Sequence, residues 1–352
     1  MSFITLGERD RAPARAPMEH RLVVTAAPHL KGRDSTTRIM WTVVATLVPV
    51  VIASTWFFGP SALLVILASV AGATGVERVH GRGGTLRDGS AAITGLLLGL
   101  TLPAGIPLWM AALGGAFAIA FGKLIFGGLG FNAFNPALLG RAFLQAAFPT
   151  ALTTWPRADL PWWSLRGDNF ALPFMHPRAM DAITAATPLG LMKFESQVTS
   201  LRDLMIGSTG GSLGETAGVL ILVCGAWLAV KRYLDWRIPA SILGTVALFA
   251  AVLHRMDPHH PTAVFMLFSG GLMLGAMYMA TDPVTAPVTK PGRWLFGIGI
   301  GGLVVVIRIW GGLPEGVMYA ILLMNALVPF INHITRPRVF GVGRQVVARV
   351  VP

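Results

Sequence analysis

The sequence has 352 residues, of which 54% are hydrophobic and only 12% are charged. Soluble globular domains carry about 25% charged residues, so this composition excludes a disordered chain, a nucleic-acid-binding domain and an ordinary cytosolic enzyme. The apolar residues form long blocks, several of them close to the roughly 20 residues that a membrane-spanning helix needs. We therefore expect a polytopic membrane protein, whose net charge of +12 reflects Lys and Arg kept on the cytoplasmic side.

Apolar windows between helix breakers predict ten membrane spans and hence an all-α fold. The spans cover residues 39–58, 61–76, 91–103, 106–126, 134–149, 216–230, 238–254, 263–281, 293–311 and 316–333. Three of them, 61–76, 91–103 and 134–149, are short for a full crossing. Short spans interrupted by Gly and Pro are typical of half-helices around an internal site. The fifth span begins at Asn135-Pro136, where proline suits a first helical turn.

The distribution of basic residues predicts the orientation. Ten spans place both termini on one side, and 20 of the 28 Lys and Arg residues lie on that side against 7 on the other. The positive-inside rule then puts both termini in the cytoplasm of a bacterial inner membrane and the long loop in the periplasm. The predicted segments are a basic cytoplasmic tail, a membrane repeat, the outer loop, a second membrane repeat and a cytoplasmic tail, at 1–37, 38–149, 150–215, 216–335 and 336–352.

The two predicted membrane segments contain a similar motif. Gly95 to Gly99, followed by Leu102-Pro103, resembles Gly271 to Gly275, followed by Asp282-Pro283. Each half has five spans, an odd number, so the second copy must enter the membrane from the opposite side. This pattern predicts two inverted five-helix repeats with a site near their pseudo-symmetry axis. A chance match in Gly- and Leu-rich sequence is the alternative.

The outer loop contains an unusual run of small and hydroxyl residues, from Asp181 through Thr184 and Thr187 to Pro188-Leu189. A loop of this length in a compact protein is usually functional. Judged by residue chemistry alone, the run is a turn, because a threonine hydroxyl is a poor nucleophile and no base lies beside it.

The element Thr184-Ala185-Ala186-Thr187 resembles the flavin-attachment signature of the Rnf and sodium-pumping quinone reductase families. The resemblance extends over most of the chain, with further similar blocks at residues 88–103, 131–137, 211–216 and 281–285. The sequence is similar to the D-subunit family of the Rnf ion-translocating electron transport complex, which is related to the B subunit of the Na⁺-pumping NADH:quinone reductase. That resemblance implies a membrane fold like that of the urea transporters, with covalent FMN on the outer face.

The resemblance also assigns roles to particular residues. It implies that Thr187 carries FMN through a phosphoester and that Asp181 orients the segment or the metal of the modifying enzyme. Thr184 is the alternative hydroxyl, three residues earlier. Attachment implies a separate flavin transferase as a partner. Pro188, directly after the threonine, departs from the quinone reductase pattern and favours the Rnf branch.

A Gly/Ser-rich loop at 207–216 leads into the sixth span. Such a loop presents backbone N–H groups and a helix N-terminus to an anion, so Ser212 and Glu215 are candidates for contacting the flavin or its phosphate. Alternatively, Ser212 and Glu215 form a Ser-x-x-Glu capping box.

Four further polar residues lie within or beside the predicted spans. The side chains of Asn132 and Asn135 could bind a flavin ring, since the related quinone reductase holds a non-covalent riboflavin in this region, or they cap a half-helix. Asp282 could bind a coupling cation, move a proton or face the flavin, or it caps the following turn. Arg141, inside the fifth span, pairs with a carbonyl, an acidic residue or a cofactor oxygen.

These observations predict a redox subunit that relays electrons between flavins across the membrane. It would belong to a ferredoxin:NAD oxidoreductase coupled to Na⁺ or H⁺ transport and would not be catalytic alone. The single cysteine, Cys224, cannot hold an iron–sulfur cluster, and no dinucleotide-binding motif or metal-ligand spacing occurs, so the chain needs partners. The resemblance implies that these are other Rnf subunits in the lipid membrane, and not nucleic acid. The alternative is a passive channel or transporter for a small polar solute, which broken helices support equally well.

Overall fold

The computed structural model describes residues 34–80, 85–156, 161–173, 186–195, 197–207, 209–215, 218–313 and 315–337. Within these ranges the chain forms helices joined by turns, and no strand occurs. The described helices belong to one compact unit that begins at Thr36.

The first half of the chain contains two long helices followed by shorter ones. They are α1 (Thr36–Phe58), α2 (Pro60–His80), α3 (Ser90–Thr101), α4 (Leu108–Ile119), α5 (Pro136–Ala147) and α6 (Pro149–Thr153). A 3-10 turn at Thr85–Asp88 precedes α3, and one π-helical turn at Ala120–Leu124 extends α4.

The second half contains two short helices, which are followed by a further group of mostly apolar helices. They are α7 (Pro188–Glu195), α8 (Leu201–Ile206), α9 (Gly218–Val230), α10 (Arg237–Met256), α11 (Ala263–Phe268), α12 (Leu272–Leu274), α13 (Lys290–Trp310) and α14 (Val317–Ile334). A π-helical turn at Gly275–Met279 extends α12.

The polytopic, all-helical prediction agrees with this structure. A helix lies in each of the ten predicted windows. Among the described residues, five helices are long and apolar enough to cross a membrane, namely α1, α2, α10, α13 and α14. Large apolar side chains point outward on them, including Trp56 at 75% exposure and Phe330 at 65%, as contact with lipid requires. The described α7 and α8 show that the segment predicted as an outer loop contains helices of its own.

The prediction that the second span is short was wrong. Helix α2 has 21 residues and continues beyond the apolar window through Glu77, whose side chain is completely buried. The Lys123 ammonium donates to the Glu77 carboxylate at 2.6 Å and to the Ser90 hydroxyl at 2.5 Å. A buried charge can be accommodated inside a helix bundle when an opposite charge contacts it. The apolar window 61–76 stops before Glu77 because a charged residue is not apolar, and it therefore underestimates the length of the helix.

The end of half-helix α3 is closed by backbone from the other half of the chain. The N–H of Gly214 donates to the carbonyl of Leu100 at 2.6 Å, and the N–H of Leu213 donates to that of Leu102 at 3.1 Å. The hydroxyl of Ser54 on α1 donates to the carbonyl of Leu213 at 2.5 Å. A helix that stops inside a bilayer needs such partners, because lipid cannot satisfy its free carbonyls.

The eighth predicted span is broken in the middle. Helix α11 ends at Phe268, and Gly270 has a φ of 66°, a left-handed conformation that favours glycine. The guanidinium of Arg308, on α13, donates to the carbonyl of Met266 at 2.6 Å and to that of Ser269 at 2.8 Å. These bonds satisfy the C-terminal carbonyls of α11, where a cation also complements the helix dipole.

Two pairs of long or apolar helices pack closely through glycine. Helix α2 lies along α4, and α10 lies along α13. A Cβ at Gly72 would overlap the carbonyl oxygen of Ala112, and one at Gly297 would overlap the Ser241 side chain. Small residues at such crossings let membrane helices approach closely.

The buried Glu77–Lys123 pair generates a stability prediction. Lys123→Met leaves the Glu77 carboxylate buried without its cation, so we expect the free energy of unfolding in detergent to fall by about 3–5 kcal/mol. The double variant Glu77→Gln/Lys123→Met removes the buried carboxylate and should recover part of that loss, because only the partly exposed Asp88, 3.7 Å from Lys123, then lacks its cation. Thermal and denaturant unfolding measure both, with Lys290→Met, at an exposed position, as the control. A single variant as stable as the control would contradict the prediction.

Candidate functional site

The residues predicted to bind cofactor separate into two groups in the structure. Thr187 and Ser212 line one cavity, the Thr187 cavity, together with Arg141 and Glu315. Asn132, Asn135 and Asp282 line another, the Asn132 cavity, together with Lys123 and Tyr278. Asp181 and Thr184 lie outside the described residues. The structure therefore brings the candidates to two places and not to a single site.

The two cavities lie at opposite ends of the same half-helices. Along α3, Ser90, Thr94 and Leu97 line the Asn132 cavity, whereas Thr101 lines the Thr187 cavity. The nearest lining residues on α3, Leu97 and Thr101, lie about one helical turn apart, roughly 6 Å at 1.5 Å per residue. Leu98 and Leu100, between these ends, are fully buried, so apolar side chains occupy the space between the cavities.

Thr187 is the N-cap of α7. Its hydroxyl oxygen accepts a hydrogen bond from the N–H of Gly190 at 3.1 Å, and its carbonyl accepts from Leu191 at 2.9 Å. Threonine is a preferred N-cap, and the following Pro188 suits the first helical position. The side chain is buried and forms part of the cavity wall. Thr187 thus lies at the positive end of a helix, facing an internal space.

Two contacts fix α7 on the rest of the protein. The ammonium of Lys193 donates to carbonyls at the end of α13, at 3.0 Å to Arg308 and 3.2 Å to Leu313, and also to Gly311. Leu189 packs with Leu204 of α8 and Phe265 of α11. Burial lowers the pKa of Lys193, so its carbonyl contacts weaken at a lower alkaline pH than those of an exposed lysine would.

Opposite charges meet at the inner end of the Thr187 cavity. Arg141 of α5 donates to the Glu315 carboxylate at 2.5 Å, so its partner is an acidic residue. Glu215 forms a hydrogen bond with Ser212 and lies in hydrogen-bonding contact with Glu315. The capping-box interpretation of Ser212 and Glu215 stays a prediction, because residues 216–217, directly before the first described residue of α9, lie outside the described residues.

The polar residues of the Asn132 cavity have structural partners. The side chain of Asn135 accepts from the N–H of Leu138 at 3.2 Å and donates to the carbonyl of Met279 at 3.1 Å, so it caps α5 as one alternative predicted. Asp282 accepts from the N–H of Val284 at 3.1 Å and thus caps its own turn. Asn132 donates to the carbonyl of Phe134 at 3.3 Å and to Asp282 at 3.4 Å, and both bonds are longer than those of Asn135.

Three charged residues near Thr187 are not identifiable from the sequence. The sequence does not distinguish Glu315, Arg308 and Lys193 from other charged residues, because such residues are common in loops and at the edges of apolar windows. The usable signal was charge balance. An acidic residue was one of the partners predicted for Arg141, which lies inside a span, and Glu315 immediately precedes a later span. Only the fold identifies that partner, since the two lie 174 positions apart.

One family of known proteins matches most of this chain. The family model described as "NQR2, RnfD, RnfE family" matches residues 23–341. Both cavities lie within the matched region.

Several curated proteins are similar over almost their whole length. The D subunit of the ion-translocating oxidoreductase complex of Stutzerimonas stutzeri is 42% identical over 88% of this chain and 93% of its own. The D subunit of the proton-translocating ferredoxin:NAD(+) oxidoreductase complex of Clostridium ljungdahlii is 38% identical over 91% of this chain and 96% of its own. The Na(+)-translocating counterpart of Acetobacterium woodii is 37% identical over 93% of this chain and 97% of its own.

The attachment of α7 through Lys193 can be tested by hydrogen exchange. A hydrogen bond to a charged group contributes about 1.5–3 kcal/mol, so we expect Lys193→Met to accelerate amide exchange in residues 187–195 by at least about tenfold. Lys193→Arg, which keeps the charge, should show a smaller effect. Arg202→Met, an exposed cation on neighbouring α8, is the matched control. Unchanged exchange in Lys193→Met would show that other contacts hold the helix.

Proposed function

The chain belongs to the NQR2, RnfD, RnfE family, and from that membership we propose that it is the flavin-carrying membrane D subunit of an ion-translocating ferredoxin:NAD oxidoreductase complex. In this role it relays electrons across the membrane through FMN held covalently on Thr187. The names of the similar proteins support the assignment to an ion-translocating oxidoreductase complex. The FMN assignment rests on the sequence signature and on the surroundings of Thr187.

The observation that carries the flavin assignment is the position of the Thr187 hydroxyl. It lies at the N-terminus of α7 and on the wall of a cavity. A phosphoester at this oxygen would place its negative charge beside the first N–H groups of α7, where backbone and dipole favour an anion. The Arg141 guanidinium, in the wall of the same cavity, adds positive charge nearby.

The described residues fit one end of such a group. The Thr187 cavity has a volume of about 80 Å³, less than the about 300–1,000 Å³ of a pocket that encloses a cofactor. Ser212, Gln145 and Arg141 supply polar side chains within it, and Trp155 supplies an aromatic surface. A bound flavin would supply electron acceptance and release, while these side chains would orient it and keep water away.

A second, non-covalent flavin such as riboflavin belongs to the same proposal. The Asn132 cavity has a volume of about 120 Å³ and combines the Asn132 amide with the aromatic ring of Tyr278. Asn135 and Asp282 would contribute mainly by shaping the cavity, because their polar atoms already bind backbone groups.

The proposed arrangement in the membrane follows from the charge distribution. Both termini lie in the cytoplasm of a bacterial inner membrane, and Thr187 lies on the outer side, in two inverted repeats of five helices. The partners are the other members of the complex and a flavin transferase. Relatives named for protons and for Na⁺ are 38% and 37% identical, so overall similarity favours neither coupling ion.

Covalent attachment predicts a simple gel result. After co-expression with a flavin transferase, the denatured chain should fluoresce under flavin illumination, Thr187→Ala should be dark, and Thr184→Ala should retain fluorescence. The reason is that only the Thr187 oxygen would carry the phosphoester. A dark wild-type chain, alongside a control protein that the same transferase labels, would remove the flavin assignment and favour the solute-transport alternative.

Non-covalent flavin is tested separately by acid extraction. We expect the purified complex to release free riboflavin, and Asn132→Leu to lower its amount at least about threefold, because loss of one ligand hydrogen bond costs roughly 1 kcal/mol or more. Gln145→Leu, an amide removed from the Thr187 cavity, is the matched control and should release the normal amount. Equal extraction from both variants would exclude Asn132 as a ligand.

A further inference from the structure

Four charged side chains from four separate segments meet behind the Thr187 cavity. Arg141 comes from α5, Arg308 from α13, Glu215 from the loop before α9, and Glu315 from the segment before α14. Arg141 pairs with Glu315 at 2.5 Å, and both arginines interact electrostatically with the two carboxyl groups. We call these residues the carboxyl cluster.

The two carboxyl groups in this cluster contact each other. Glu215 and Glu315 lie within hydrogen-bonding contact. In each, the Oε1 atom is buried and has no donor among the described residues. An ionised carboxylate only accepts hydrogen bonds, so two ionised groups cannot bond to each other. A single proton held between the two groups would let one carboxyl donate to the other, as in other close carboxyl pairs.

The surroundings identify which group holds the proton. Arg141 donates directly to Glu315, so Glu315 is the ionised member. Glu215 has the Ser212 hydroxyl and Glu315 as its side-chain hydrogen-bond partners. The Arg308 guanidinium donates through Nη1 and Nη2 to carbonyls at the end of α11, and its buried Nε–H has no acceptor among the described residues.

We propose that Glu215 and Glu315 form a one-proton carboxyl pair, which acts as a proton-binding site on the wall of the Thr187 cavity. The proton resides on Glu215 and bonds to Glu315. Glu315 lines the cavity, so the proton can exchange with water there by ordinary acid–base transfer.

Proton occupancy sets the charge of the cavity wall. With the proton bound, two arginines face one carboxylate, and the cluster carries a net charge of +1. Without it, two carboxylates balance two arginines, and the net charge is zero. An anion in the cavity therefore binds more tightly when the proton is bound, and by linkage the proton binds more tightly when the anion is present. The identification of that anion as a flavin phosphate rests on the proposed function, whereas the carboxyl pair itself does not.

Infrared spectroscopy of the full-length chain, purified in detergent, tests the pair directly. We expect a protonated-carboxyl C=O stretching band near neutral pH that shifts in D₂O and is absent in Glu215→Gln. This variant should fold, because the glutamine amide can donate to Glu315 in place of the proton. Glu195→Gln, which removes an exposed carboxylate, should leave the band unchanged.

A glycine pair provides variants that keep both carboxyl groups. A Cβ at Gly211 would lie 2.6 Å from Oε2 of Glu215, whereas one at Gly271 would lie 3.7 Å from Oε1, an ordinary contact. Gly211→Ala should therefore displace the Glu215 carboxyl and shift or remove the band. Gly271→Ala should retain it. No protonated-carboxyl band in the wild-type chain, or one that survives in Glu215→Gln, would overturn the proposal.

The link to an anion has its own measurement. If the phosphoester is present, Thr187→Ala should lose the band at a lower pH than the wild-type chain, by on the order of one unit, because a nearby negative charge holds the proton. Identical titrations in a chain that gel fluorescence shows to be flavinylated would overturn the linkage. A chain with the band but without flavin would retain the carboxyl pair and exclude only the flavin as its anion.

Discussion

The structure depends on how helices that stop inside the membrane region satisfy their free backbone groups. Lipid offers no hydrogen bonds, so every interrupted helix needs a protein partner. Helix α3 obtains one from the backbone of Leu213 and Gly214, and α11 from Arg308. Helix α5 is capped by Asn135, which also donates to Met279. The partners of α3 and of Asn135 come from the opposite half of the chain. The hydrogen bonds that close these interrupted helices therefore also hold the two halves together.

The same requirement explains the surroundings of Thr187. The carbonyls at the end of α13 accept from Lys193, which holds α7 and hence its N-cap threonine against the helical body. Arg308, whose backbone carbonyl accepts from Lys193, uses its own side chain to close α11. Charges that serve as caps are thus concentrated close to the carboxyl cluster. In a membrane protein, such cations are placed where helices end, so sites for anionic groups arise next to helix breaks.

Local sequence signals predicted the helices well and the long-range contacts poorly. Asn135-Pro136 marked the start of α5, because capping and proline preference act within one turn. The same local logic failed at Glu77, since only Lys123, 46 positions away, makes its burial acceptable. The same limit applies to Glu215, whose contact with Glu315 lies 100 positions along the chain. A single sequence does not identify partners of charged residues that lie in other segments.

The charge balance of the carboxyl cluster also bears on which ion it can bind. Two buried carboxylates would ordinarily attract a metal cation, but Arg141 and Arg308 already supply two positive charges. A hard cation such as Na⁺ prefers several oxygen ligands at once. A proton requires only the two facing oxygens and adds the same charge without further ligands. The geometry around Glu215 and Glu315 therefore favours a proton at this position, and a site for Na⁺ would have to lie elsewhere in the protein or its complex.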